Sequence, residues 1–407
     1  MRRGTYMKNA VVLTVTGLIL RVAGIFLRVY IAGQIGTEGM GVYQLIYTAY
    51  SLFITISTAG LCVAATRITA DLLAQKLPAA ARRAVARLLV LGAGTGIACA
   101  LALFFLAPFI STRLLVEPRA VVALRILSPS LPFMALSACM RGYFIAQKDV
   151  TPNARAQMLE QAVRIALIML MLPGALERGM AVACAAAVIG NTISEAVSWV
   201  FMSVCYVKNR VYKAAEVPMA RWKNLLQILL PVAGSQTIGG ALRTVENVIV
   251  PSCITVFTAS RTVALEQFGA LKAMAMPVLF FPFSFLATLG TLLLPDIAAS
   301  FVKKEQERLH SLIRRSIFIT LSFSVLAGGL FGLFAQEISY TLYHSNDVTL
   351  YLRILGPIMP FMYMESIVDG ILKGINQQLA TFRYCLADSF IRITLILLLL
   401  PRFGILA

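Results

Sequence analysis

The chain has 407 residues, 59% of them hydrophobic and 13% charged, with a formal net charge of +18. So few charged residues cannot cover a soluble domain of this length, and the composition places the chain in a membrane. Its cations are spread over short connections and not gathered on one face, which excludes a nucleic-acid-binding domain and suits contact with anionic lipid headgroups.

Apolar runs long enough to cross a hydrocarbon core of about 30 Å recur along the chain, and about eleven spans are expected. They lie near 9–34, 39–66, 85–109, 121–147, 153–173, 178–206, 222–251, 264–297, 312–336, 348–376 and 380–400. The first run is too long for a signal-peptide core and lacks a small-residue cleavage site, so it reads as a retained helix.

That first span carries Arg21 and Arg28. Their spacing is about two helical turns, so both project from one face. An ionisable group inside a membrane costs several kcal/mol unless it meets a cavity or a partner. One reading is a cationic stripe lining a cavity for an anionic substrate. The other is snorkelling to a headgroup, or a buried ion pair.

Gly36 and Gly39 separate the first two spans, and Pro152 precedes the fifth. The fifth span holds Gln157, Glu160, Gln161 and Arg164, and Pro173-Gly174 follows it. Glu160 and Arg164 are spaced i, i+4 with the acid first, the favourable order for a pair on one helix. The seventh span holds Gln236, Arg243, Glu246 and Asn247, with Arg243 and Glu246 one turn apart. Lys272 lies in the eighth span, ahead of Phe280-Phe281-Pro282-Phe283, which reads as packing or lipid-facing surface. Asp369 lies in the tenth span, and Asp388 with Arg392 in the eleventh.

Alternate connections are rich in Lys and Arg. They hold Arg2, Arg3 and Lys8; Arg67, Lys76, Arg82, Arg83 and Arg87; Lys148 and Arg155; Lys208, Arg210, Lys213, Arg221 and Lys223; Lys303, Lys304, Arg308, Arg314 and Arg315; and Lys373 with Arg383. The positive-inside rule then gives a multi-pass protein of the cell membrane with its N-terminus in the cytoplasm.

The chain also repeats itself. Leu124-Arg125-Ile126-Leu127-Ser128-Pro129 through Met134 reappears as Leu352-Arg353-Ile354-Leu355-Gly356-Pro357 through Met362, an offset of 228 residues. Gly142 maps to Gly370, Glu160 to Asp388, Arg164 to Arg392 and Pro173 to Pro401. The expected fold is therefore all-α and integral to the membrane, with two pseudo-symmetric six-helix lobes, the usual build of a secondary transporter. The lobes are drawn at 1–207 and 222–407, with a cytoplasmic linker over 208–221. The offset puts a twelfth helix from about 406 onward, so the second lobe is expected to be truncated. A shorter offset, 222, lays Leu20-Arg21 over Leu242-Arg243, giving the first helix of each lobe one deep arginine. Two such cations facing each other would suit a diphosphate.

The pair repeated as Glu160–Arg164 and Asp388–Arg392 has two readings: neutralisation of two charges within each bundle, or a cavity or coupling role. The cysteines Cys62, Cys99, Cys139, Cys184, Cys205, Cys253 and Cys385 show no paired spacing, and His310 and His344 show no zinc or haem spacing. No metal site is expected. There is no phosphate loop and no nucleophile elbow, so an enzyme or an ATP-driven pump is not expected.

Arg21-Val22-Ala23-Gly24-Ile25-Phe26-Leu27-Arg28, with Ile35-Gly36-Thr37-Glu38-Gly39-Met40-Gly41-Val42-Tyr43-Gln44, resembles the opening of the stage V sporulation protein B family. Arg141-Gly142-Tyr143-Phe144, Thr151-Pro152 and Gln157-Met158-Leu159-Glu160-Gln161-Ala162-Val163-Arg164 are similar to that family's fourth and fifth helices. The resemblance covers essentially the whole chain. It implies a flippase of the multidrug/oligosaccharidyl-lipid/polysaccharide exporter superfamily, similar also to the MurJ-type lipid II flippases. Its implied fold has two lobes around a V-shaped cavity. Its implied substrate is an undecaprenyl-diphosphate-linked oligosaccharide or a peptidoglycan precursor, moved by alternating access. It implies that Arg21, and with less close spacing Arg28, are cavity cations; for the second lobe it singles out no one residue, since Lys272 matches only across a gap and Arg243 rests on the internal repeat alone. No cofactor is expected. Coupling to Na⁺ or H⁺ would fall to Glu160, Glu246, Asp369 or Asp388. The implied partners are membrane lipids, the lipid-linked saccharide and cell-wall synthesis or sporulation proteins. Two alternatives stay open. One is a multidrug/cation antiporter of the same superfamily, which would want acids more than arginines. The other is a non-transporting scaffold in a cell-wall or sporulation complex.

Overall fold

The computed structural model describes residues 3–209, 222–287, 297–298, 300–301, 303–375 and 377–406, and among these it is helical, without strands. Most of the expected linker, residues 210–221, lies outside the described residues, as does the part of the eighth span between 288 and 296.

Helix α1 runs over Arg3–Thr58 and bends at Gly36, where φ is +67°. Glycine adopts that conformation without strain, so Gly36 sets the joint between the first two expected spans. A second glycine, Gly60 with φ +71°, separates α1 from α2, Leu61–Ala74. Inside a membrane no water is present to satisfy N–H groups freed at such a break. The Gly60 N–H instead donates to Gln236 Oε1 at 3.1 Å. Gln236 lies on α8, Trp222–Thr258. The polar residue noted in the seventh span thus mends a backbone break.

Between these elements come α3, Pro78–Phe109, continued by a π turn Ile110–Leu114, then α4, Ala120–Leu127, α5, Ser130–Ala146, α6, Thr151–Leu176, and α7, Met180–Lys208. After α8 follow α9, Arg261–Phe268, a π turn Gly269–Ala275, and α10, Met276–Leu279. The chain continues with α11, Gln306–Leu333, α12, Ala335–Tyr343, α13, Thr349–Leu355, a 3₁₀ turn Gly356–Ile358, α14, Met359–Gly374, and α15, Gln378–Phe403. The repeat is visible as local structure. The chain breaks between α4 and α5 at Ser128-Pro129, and between α13 and α14 at Gly356-Pro357.

Seven described stretches are long and apolar enough to cross a membrane: Thr14–Ala74, Pro78–Leu114, Ala120–Ala146, Thr151–Leu176, Met180–Lys208, Gln306–Leu333 and Leu379–Phe403. The first is 61 residues long and takes in two expected spans. The eighth and tenth expected spans are assembled from shorter pieces, α9 with its π turn and α10 in one case, α13 with its 3₁₀ turn and α14 in the other.

The chain divides into two compact units. One comprises Met1–Thr16 and Leu45–Val248, the other Gly17–Gln44 and Ile249–Ala407. These boundaries fall inside α1 and α8, whereas the lobes expected from the repeat, 1–207 and 222–407, keep both helices whole.

Within each unit, helices meet through small residues. Lipid tails are as apolar as leucine, so close van der Waals approach replaces the hydrophobic drive between helices. In the first unit Ala64, Ala65, Ala84, Ala135 and Cys139 form a buried seam with Leu61 and Leu88. A Cβ placed on Gly142 would come within 2.5 Å of the Cys62 carbonyl oxygen, so α5 can touch α2 only without a side chain there. In the second unit a Cβ on Gly328 of α11 would come within 2.3 Å of the Gly356 carbonyl oxygen in the 3₁₀ turn.

The tightest crossing joins α1 to α9 and its π turn, within the second unit. A Cβ on Gly41 would lie 2.1 Å from the Leu265 carbonyl oxygen, and one on Gly269 would lie 2.2 Å from that of Thr37. Thr37 and Leu265, like Gly41 and Gly269, are related by the 228-residue offset. The crossing therefore sets equivalent positions of the two halves of the repeat against each other.

Candidate functional site

The candidate cations fall on both units. Arg21, Arg28 and Lys272 belong to the second, and Arg243 to the first. Arg28 lies two turns before the Gly36 bend and is half-buried, while Arg21, two turns earlier still, is exposed. The Arg28 guanidinium donates from Nη1 to the Ala273 carbonyl at 3.4 Å. Ala273 lies in the π turn Gly269–Ala275, next to half-buried Lys272. The structure thus brings Arg28 onto the turn that bears Lys272. A third side chain reaches the same turn: the buried Tyr343 hydroxyl, at the end of α12, donates to the Met274 carbonyl at 3.1 Å. Neither sequence spacing nor the repeat points to Tyr343.

Arg243 is exposed on α8, and Glu246, one turn on, is buried. Asp369 is half-buried on α14. Asp388 and Arg392 form an ion pair within α15, both well exposed along the helix.

The pair Glu160–Arg164 is embedded in a larger cluster in the first unit. Arg164 Nη2 lies 2.7 Å from Glu160 Oε1 and 3.3 Å from Glu195 Oε1, so one guanidinium nitrogen holds two carboxylates. Its Nε also donates to Ser194 Oγ at 3.3 Å. Arg141 of α5 approaches Glu160 Oε2 at 3.7 Å. With all four ionised, two arginines balance two glutamates, and the cluster can stay inside the bundle. Glu195 is only 4% exposed, yet its Oε2 has no hydrogen-bond partner among the described residues.

No spacing rule marks Glu195 or Arg141 as members of this cluster. A signal for Glu195 is nevertheless present: it is an acid in the middle of the apolar run of α7, where a charge requires a partner. The fifth-span pair repeats at Asp388 and Arg392, but Arg141 maps to Asp369. The second copy therefore has an acid where the first has a base.

The two sites differ in what they leave available. Arg164 is neutralised by carboxylates, whereas the Arg28 guanidinium meets a carbonyl, which cancels none of its charge. The second unit's set of Arg28 and Lys272 is accordingly the candidate binding site. The cluster on Arg164 reads as a structural ion-pair network joining α5, α6 and α7.

Residues 6–254 match the family model described as polysaccharide biosynthesis protein. Among curated proteins, stage V sporulation protein B of Bacillus subtilis (strain 168) is 26% identical over 410 residues, covering 99% of this chain and 79% of the relative. Lipid II flippase MurJ of the same organism is 20% identical, over 92% of this chain and 73% of the relative. Among solved structures, an inward-facing multidrug resistance MATE family transporter of the MOP superfamily superposes with a TM-score of 0.73 at 14% identity. That match covers 92% of this chain and 84% of the other. A MOP superfamily transporter from Pyrococcus furiosus, described as having a binding pocket of reverse polarity, superposes with a TM-score of 0.70 at 13% identity. It covers 98% of this chain and 90% of the other. These likenesses place the two-lobed helical fold.

Proposed function

The chain belongs to the polysaccharide biosynthesis protein family, and on that premise we propose that it is a flippase for a lipid-linked saccharide carrying a diphosphate. The observation that carries this reading is Arg28, a half-buried guanidinium in a membrane span whose hydrogen bond goes to a carbonyl and not to a carboxylate. Lys272 on the adjoining turn and Arg21 on the same helix add cations to the same unit. A lipid diphosphate is the membrane-borne anion that such a set fits, since arginine binds phosphate oxygens through paired N–H donors. The relative MurJ, a lipid II flippase by name, supports the substrate class.

On this reading the diphosphate docks on Arg28 and Lys272, Arg21 draws it in, and the prenyl tail stays among lipid chains. The protein then exposes the headgroup to the opposite side, with its own N-terminus in the cytoplasm. Na⁺ or H⁺ coupling is assigned to Glu246, Asp369 or Asp388, the acids outside the Arg164 network.

The test is selective binding in lipid nanodiscs. The chain should retain undecaprenyl diphosphate and not undecaprenol, and Arg28→Ala should weaken retention. Loss of one charge-assisted contact of about 1.5–3 kcal/mol corresponds to roughly 10–150-fold in Kd. Equal retention of the neutral alcohol, or preference for an organic cation, would overturn the assignment.

A further inference from the structure

The repeat is asymmetric at the candidate site. The 228-residue offset lays Gly269–Phe283 over Gly41–Thr55. The first copy keeps that stretch inside α1, whose helical backbone runs on from the Gly36 bend to Thr58. The second copy divides it into the π turn Gly269–Ala275, α10 and a turn over 280–282. Pro277 and Pro282 stand there where the first copy has Ala49 and Ile54, and proline interrupts a helix. Lys272 stands where the first copy has Gln44. The break and the cation thus occur together, in the same copy.

A break inside a membrane needs donors and acceptors from elsewhere in the protein. Two tyrosines reach this one. The Tyr343 hydroxyl donates to the Met274 carbonyl at 3.1 Å, in the π turn, two residues past Lys272. The Tyr363 hydroxyl of α14 donates to the Leu279 carbonyl at 2.5 Å, and the Phe283 N–H donates to the same hydroxyl oxygen. Leu279 and Phe283 have the i, i+4 spacing of an α-helical bond, so this hydroxyl stands in the ladder between them. A side chain inserted there bends a helix. Both tyrosines are buried, and Phe280 and Phe283 pack against the Tyr363 ring with centroids at 6.3 and 5.1 Å. The first copy has Leu115 and Ala135 at these two positions, neither with a hydroxyl.

We propose that Tyr343 and Tyr363 are positioning residues for Lys272: from α12 and α14 they hold the broken span in the path that keeps Lys272 on the turn that receives Arg28. Arg28 already donates to Ala273, the residue after Lys272. Discontinuous spans are where membrane transporters build substrate sites. Two cations held on one turn favour a diphosphate over a monophosphate, because each finds its own phosphate oxygens. The ligand consequence rests on the reading of Arg28 and Lys272 as the diphosphate site; the hold on the span does not.

Tyr343→Phe and Tyr363→Phe remove one oxygen each and keep the rings. Lys272→Gln installs the first copy's residue. Binding of undecaprenyl diphosphate and undecaprenyl monophosphate to the full chain in phosphatidylcholine nanodiscs is measured for the parent, these variants and Tyr343→Phe/Lys272→Gln. Each Phe variant is expected to weaken diphosphate binding about three- to tenfold, the worth of one hydrogen bond. Monophosphate binding should change less, so the preference between the two ligands falls toward that of Lys272→Gln. The double variant should bind no worse than Lys272→Gln alone, because Tyr343 acts through Lys272. Equal losses for both ligands, or losses that add in the double variant, would reduce the tyrosines to a structural role and overturn the proposal. Parental binding by both Phe variants would overturn it too. Where Tyr363→Phe does not fold, Tyr343→Phe carries the same test.

A readout without ligand separates the two claims. In NMR of protein labelled at its methionine methyl groups, the Met274 resonance should shift in Tyr343→Phe. If it shifts while Lys272→Gln binds like the parent, the diphosphate reading is rejected and the hold on the span stands. An unmoved Met274 resonance would overturn the hold itself.

Discussion

Arg164→Met should destabilise the chain by about 3–5 kcal/mol, the range seen when one partner of a buried ion pair is removed. The substitution keeps a long apolar stem and deletes the guanidinium that contacts both Glu160 and Glu195. Glu195 is buried and its other oxygen already lacks a hydrogen bond among the described residues, so it would lose its nearest counter-charge and keep only the attraction of Arg141. Arg141 could offset part of the loss at Glu160. Neutralising the acids as well, in Glu160→Gln/Arg164→Met/Glu195→Gln, should recover a large share of the stability, because no buried charge is then stranded. Thermal unfolding in one fixed detergent compares the parent, the single variant and the triple variant. A single variant within about 1 kcal/mol of the parent would show that the cluster is not a buried network, since that is the size of an exposed pair.

The second large effect is expected at the crossing of α1 with α9. Gly41→Ala introduces a Cβ at 2.1 Å from the Leu265 carbonyl oxygen and 2.8 Å from its carbon. These are backbone atoms with no rotamer to change, so the helices must move apart. Overpacking of this kind costs about 1–3 kcal/mol and more where the backbone is rigid. Gly269→Ala meets the Thr37 carbonyl at 2.2 Å and should behave alike. Since either substitution separates the same pair of helices, the double variant should be less unstable than the two losses added. Gly24→Ala, where nothing lies within 4 Å, is the comparison and should raise stability slightly, by up to about 1 kcal/mol of helix propensity. Yield and unfolding temperature of these variants decide the matter. Strict additivity, or tolerance of Gly41→Ala, would mean that the crossing does not hold the second unit together.

The membrane class, the helical architecture and the repeat are legible in the sequence, because each follows from a local pattern. Apolar length marks a span, and a fixed offset marks a repeated bundle. The breaks at Ser128-Pro129 and Gly356-Pro357 show the repeat as structure. What the sequence hides are partnerships between distant positions. Gln236 reads as one more polar residue in a span, and its role emerges only beside the N–H freed at Gly60. The i, i+4 spacing finds Glu160 and Arg164, but Glu195 joins them from another helix and no spacing rule reaches it. Gly41 and Gly269 share the repeat offset, yet nothing in that offset says that two equivalent positions touch. Arg28 stands out as a charge in an apolar run. Its partner is a backbone carbonyl 245 positions away, and a backbone group leaves no mark on composition. The candidate cations divide similarly: Arg21, Arg28, Arg243 and Lys272 can be picked from their spans, and the structure adds which of them share a unit.

Translocation itself is the decisive measurement. The chain is reconstituted in liposomes with a fluorescent undecaprenyl-diphosphate saccharide, and the fraction of headgroup reaching the opposite leaflet is followed for the parent and for Arg28→Ala. Transfer by the parent, lost in Arg28→Ala at equal protein incorporation, is the expected result. Equal transfer by both proteins would contradict a cationic site built on Arg28, and no transfer by the parent would contradict the flippase assignment for this chain.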